Sequence, residues 1–141
     1  MKKIILLLPL ILIAVFVKAQ TPTAKCITPQ TIKAGETFNV VVKISKCDLA
    51  VYAQYQQKLP DGFTAKEISG KSDNANFYFE NGKVLYQWYK LPVDRDSITL
   101  EYSVTPANNT ATGKYSLPGY FSYQVNNKLG YAQSDAEIEI K

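Results

Sequence analysis

The stretch Asn76-Phe77-Tyr78-Phe79-Glu80-Asn81-Gly82-Lys83-Val84-Leu85-Tyr86-Gln87-Trp88 decides the fold. Two runs of aromatic and aliphatic residues flank Asn81-Gly82. That dipeptide is the one a two-residue type I′ hairpin favours, because both turn positions need positive φ. With this turn, Glu80 pairs with Lys83, Phe79 with Val84, Tyr78 with Leu85 and Phe77 with Tyr86. Opposed residues share a face of the sheet. One face then holds Phe77, Phe79, Val84, Tyr86 and Trp88, which marks it as core. The other holds Asn76, Tyr78, Glu80, Lys83, Leu85 and Gln87 and is expected to meet solvent.

The same period-two alternation runs through the rest of the chain, broken by turn residues. Phe38, Val40, Val42 and Ile44 alternate with Asn39, Val41, Lys43 and Ser45. Ile98, Leu100, Tyr102 and Val104 repeat the pattern. Further strands are expected at 26–32, 49–59, 63–68, 115–125 and 131–140. Pro60-Asp61-Gly62 supplies a turn. No segment has helical periodicity with caps. The expectation is all-β: an antiparallel immunoglobulin-like β-sandwich of about seven to nine strands over residues 26–141. Residues 20–25 read as a leader, and no second domain or internal repeat is expected.

The first nineteen residues have another purpose. Met1-Lys2-Lys3 is basic, and Ile4 to Val17 is free of charge. The run is shorter than the ~20 apolar residues of a membrane span. It reads as a cleaved signal peptide, 1–19, with cleavage after Ala19. The chain is therefore expected in the periplasm, at the cell surface or outside the cell, with no membrane span after cleavage. The 141 residues carry 16 basic and 12 acidic side chains. Lys2, Lys3 and Lys18 leave with the signal, so the rest holds 13 against 12. No nucleic-acid footprint is left.

An exported chain with two cysteines implies one disulfide, Cys26–Cys47, across the first hairpin; two buried free thiols are the alternative. No histidine is present. Histidine-based triads, general bases and zinc sites are thereby excluded. No phosphate-binding glycine loop or paired carboxylate motif appears. Asp94, Asp96 and Ser97, or Asp73, Asn74 and Asn76, offer oxygen ligands but match no calcium-loop spacing. They read as solvated loop residues. The chain is expected to be no enzyme and to need no metal or cofactor.

Ten tyrosines draw attention to binding. Tyr78, Leu85 and Tyr89 are the surface candidates of the hairpin. In 115–125, Tyr115, Leu117, Phe121 and Tyr123 share parity, and Tyr120 points the other way. Leu117-Pro118-Gly119 invites a bulge there. Core packing is the plain reading for that aromatic group, which includes Tyr131, while Tyr120 joins the binding candidates.

Some of these segments resemble a known group. Thr31 to Phe38 resembles the turn-to-strand opening of bacterial Ig-like surface domains. Leu59-Pro60-Asp61-Gly62-Phe63 looks like their "L-P-x-G-F" step, and Gly113-Lys114-Tyr115 with Phe121-Ser122-Tyr123 like their closing strands. The relatives are conserved-repeat Ig-like domains, cohesin-like and carbohydrate-binding sandwiches, and the N-terminal part of BatD-type periplasmic proteins. The resemblance implies a non-catalytic module for adhesion or protein interaction, with another envelope or extracellular protein as partner. A carbohydrate-binding module and a purely structural accessory domain are the alternatives.

Overall fold

A computed structural model describes residues 20–141. The signal-peptide segment, 1–19, lies outside the described residues. The described chain is all β, with ten strands in two sheets. They are β1 (Thr23–Ile27), β2 (Thr31–Ile32), β3 (Phe38–Ser45), β4 (Ala53–Lys58), β5 (Phe63–Glu67), β6 (Asn76–Glu80), β7 (Lys83–Trp88), β8 (Ser97–Pro106), β9 (Gly113–Val125) and β10 (Lys128–Ile140). One sheet runs β1-β3-β8-β5 and the other β2-β10-β9-β4-β7-β6.

The β6–β7 hairpin has the register its sequence dictates, from Glu80↔Lys83 to Asn76↔Gln87. Asn81 and Gly82 both have positive φ, 51° and 71°, as a type I′ turn requires. Asn126 and Asn127 do the same between β9 and β10, with φ of 51° and 60°.

Period-two patterning builds the core. Val40, Val42, Ile44, Ile98, Leu100, Tyr102 and Val104 face inward from the smaller sheet and are buried. Tyr55, Val84, Tyr86, Trp88, Leu117, Phe121 and Ile138 meet them from the larger one. Such side chains contribute roughly 1.5–3 kcal/mol each by leaving water. Phe77, Tyr86 and Tyr102 form an aromatic string with ring centroids 5.1 and 5.8 Å apart. The Trp88 indole N–H donates to the carbonyl of Asp73 at 3.0 Å.

Four sequence expectations change. The segment 26–32 is two strands, not one. β1 starts at Thr23, within the stretch read as leader, and pairs with β3. Pro29 then interrupts the ladder, since it has no N–H to give. The chain crosses to the other sheet, where β2 runs parallel to the end of β10. Leu49 to Tyr52 stay outside β4, which begins at Ala53.

The expected bulge at 117–119 is absent, and β9 pairs with β10 without a break. The ladder to β4 ends at Gln57↔Gly119, one residue short of Pro118.

The disulfide is the fourth correction. Cys26 and Cys47 are free thiols. Cys26 sits opposite Val42 in the β1–β3 ladder, and Cys47 lies five residues farther along the chain. At ~3.3 Å per strand residue, that offset far exceeds the ~7 Å limit between bridged Cα atoms. Cys26 instead faces inward, where the Gln57 amide donates to its sulfur at 3.3 Å. Burial raises its thiol pKa, and the Gln57 contact opposes the shift. Cys47 is buried in the loop after β3 with φ of 56°.

Candidate binding face

The outward side chains of the six-stranded sheet form the candidate site. Pairing registers place them in rows across the strands. One row runs Tyr78, Leu85, Gln56, Tyr120, Gln133. The next runs Asn76, Gln87, Gln54, Ser122, Tyr131. Tyr52 lies just before β4 and adds its hydroxyl, which accepts from Gln87 at 2.7 Å and also from Gln54. Gln56 donates to the Gln54 side-chain oxygen at 3.1 Å. The amides thus form a connected ladder, which limits their rotamer freedom.

Neither row contains an acid, lysine or arginine. Charge lies on one side of these rows, in the row that carries Glu80, Lys83, Lys58 and Asp135 and then at Glu137, with Lys114 and Glu139 farther out. The outer face of the smaller sheet differs. It is a serine- and threonine-rich surface crossed by Lys25, Lys43, Lys66 and Glu101.

Aromatic exposure is concentrated on the uncharged face. Tyr78, Tyr120 and Tyr131 are 42, 44 and 60% exposed. One surface hollow is lined by Tyr78, Leu85 and Gln87 together with Glu80, Asn81 and Lys83, so it reaches the charged margin. A second is lined by Tyr120, Tyr131 and Gln133.

Of the sequence candidates, the fold brings Tyr78, Leu85 and Tyr120 into one row. Tyr89 does not join them. It lies past the end of β7 and is 75% exposed in the connection to β8. Sequence reasoning missed Tyr131, Tyr52 and the glutamines. By sequence alone Tyr131 groups with the core aromatics, and only the β9–β10 register shows it opposite Ser122 on the outer face. The glutamines share parity within each strand, but no single strand reveals that they form one array.

The acidic candidates lie elsewhere, at one end of the sandwich. Asp73 and Asp94 come together around Arg95, at 2.5 and 3.1 Å. The guanidinium holds the Asp94 carboxyl below its ordinary pKa, chiefly by hydrogen bonding, and Arg95 is raised in return. Arginine occupies the position between the carboxylates that a cation would take. Asp96 offers its main-chain carbonyl to the Lys46 N–H at 2.8 Å. Among the described residues, no three Cys, Asp or Glu side chains are grouped to hold a metal.

Lys46 is itself notable. It is 1% exposed, and its ammonium donates to the carbonyl oxygens of Leu49 and Cys47 at 2.9 and 3.4 Å. It holds the 46–52 loop closed, and no sequence pattern marked it.

No protein-family model matches this chain, and no curated protein matches it in sequence. Solved structures do. The chain resembles a non-cellulosomal cohesin from the hyperthermophilic archaeon Archaeoglobus fulgidus, with a TM-score of 0.53 and 12% identity, covering 84% of this chain and 91% of the other. A second match is BslA, a bacterial hydrophobin, with a TM-score of 0.47, 10% identity and coverage of 86% and 96%. The cohesin likeness shows the fold, a cohesin-like β-sandwich.

Proposed function

We propose that this protein is a non-catalytic interaction module that docks another protein on the outer face of its six-stranded sheet, after export from the cytoplasm. One observation carries the reading. The exposed tyrosines 78, 120 and 131 and Leu85 share a face whose two central rows hold no charged group. Tyrosine supplies large, rigid contact area at low entropic cost and dominates many protein interfaces. The complementary partner surface is neutral, with apolar patches for the rings and backbone or hydroxyl groups for the glutamine ladder. The Ig-like surface domains that the sequence motifs resemble, and the cohesin-like fold, agree with a module of this kind.

The test is capture. The tagged chain is crosslinked in its native cells, and a stoichiometric partner is identified. Tyr120→Ala with Tyr131→Ala is expected to weaken binding to that partner by roughly thirtyfold or more, the loss of at least one interface hot spot. Unchanged binding shows that the face is not the docking surface.

A second reading, a neutral glycan as ligand, draws on the same rows. Tyrosine rings beside primary amides match the apolar faces and hydroxyl edges of sugars. A glycan array distinguishes the two: retention on sugar alone, abolished by the same double substitution, assigns the face to carbohydrate.

A further inference from the structure

Four strands end the two sheets, and three of them are protected. β2 is two residues long. β1 and β5 carry the exposed lysines Lys25 and Lys66. Short length and lysine are the usual guards against edge-to-edge pairing. β6, Asn76-Phe77-Tyr78-Phe79-Glu80, has neither lysine nor proline and pairs on one side only, with β7.

The hairpin determines which of its backbone groups are free. In a two-residue hairpin the residues flanking the turn form a hydrogen-bonded pair, and such pairs alternate along the ladder. Glu80, Tyr78 and Asn76 therefore bond to β7. Phe77 and Phe79 direct their N–H and C=O groups to the open edge. Among the described residues, no backbone group from another element bonds to either of them.

From this geometry we infer that two copies of the chain pair through β6, antiparallel and centred on Tyr78. In that register Phe77 of each copy faces Phe79 of the other. Both outward residues exchange N–H and C=O bonds with their counterparts, and four hydrogen bonds form. Shifting the register by two residues brings only one phenylalanine opposite its own counterpart and loses half of these bonds. Charge agrees with the centred register. Each Glu80 meets a neutral Asn76, and no like charges oppose each other. The two Tyr78 rings meet on the outer face. The two-fold axis stands perpendicular to the sheet, so both tyrosine–glutamine faces join on one side of a twelve-stranded surface. The pairing itself does not depend on what that face binds.

Sedimentation of the purified protein, with no partner present, tests the inference. One chain mass at low concentration and two at high concentration are expected. Tyr78→Lys places two ammonium groups face to face and is expected to weaken association about tenfold. Tyr78 is exposed, and circular dichroism confirms that the variant folds. Cysteine variants read the register. Across the axis, paired Cα atoms lie about 4.5 Å apart, within disulfide reach. Tyr78→Cys is therefore expected to crosslink under mild oxidation. Two copies of position 76 lie four residues apart along the strands, roughly 13 Å, so Asn76→Cys stays unlinked. A monomer at every concentration overturns the inference. So does a dimer that Tyr78→Lys leaves intact, or one that Asn76→Cys crosslinks as readily as Tyr78→Cys.

Discussion

The Tyr55 hydroxyl crosses over Gly119 to meet the Ser134 hydroxyl, 2.7 Å away on the next strand but one. The crossing is possible because position 119 has no side chain. A Cβ there would overlap the Tyr55 hydroxyl. The contact pins β4 to β10 across β9 in a fully buried part of the core. Desolvation raises the Tyr55 pKa well above its ordinary value, despite the opposing Ser134 bond.

Gly119→Ala therefore strikes backbone spacing and a buried polar pair together. Overpacking costs about 1–3 kcal/mol, and the broken bond adds about 1 kcal/mol. Urea denaturation is expected to show a loss of about 2–4 kcal/mol. A loss below about 0.5 kcal/mol means that Tyr55 has another rotamer to occupy.

Lys46 predicts a second effect. Lys46→Met keeps the apolar stem and removes the ammonium, so the carbonyl of Leu49 loses its charged donor. A hydrogen bond to a charged group contributes about 1.5–3 kcal/mol, and loss in that range is expected. Hydrogen exchange should also quicken in residues 46–52 before the strands respond. An unchanged exchange rate there counts against the loop-closing role.

Alkaline stability follows from three buried tyrosines. Tyr55, Tyr86 and Tyr102 all have raised pKa values, each chiefly by desolvation. A raised folded pKa means the unfolded state loses its proton first. The contribution is intact below the ordinary value of 10.0 and declines as pH rises above it. Spectroscopic titration is expected to show these three ionising only as the protein unfolds. Ionisation of Tyr55, Tyr86 and Tyr102 while the fold persists contradicts the burial.

The separated thiols make a redox prediction. Cys26 and Cys47 are held apart by the β1–β3 register, so a reducing agent is expected to leave the melting temperature unchanged. A thiol reagent should label both residues fully only in denaturant. A fall in melting temperature on reduction shows a bridge and a different register.

Much of the fold was legible because strand patterning is local. The Asn81-Gly82 turn sets one hairpin register, and parity then assigns Trp88 to the core and Tyr78 and Leu85 to the surface. The same parity placed Tyr120 opposite Phe121. It did not reach Tyr131, which lies on the next strand and takes its face from the pairing of β10 with β9. It also joined 26–32 into one strand, because alternation says nothing about which sheet receives each half of a segment containing a proline.

The sequence by itself determined the all-β class, the inward and outward sides of the principal strands, and the lack of histidine chemistry. These follow from residue types and a two-residue period, which need no long-range information. Tertiary structure alone decided the rest. Strand order set glutamines from β4, β7 and β10 beside tyrosines from β6, β9 and β10. Register separated Cys26 from Cys47 and brought Asp73 to Arg95. It also left β6 as the unguarded edge. Each is a contact between residues distant in the chain, and only the pairing of whole strands specifies it.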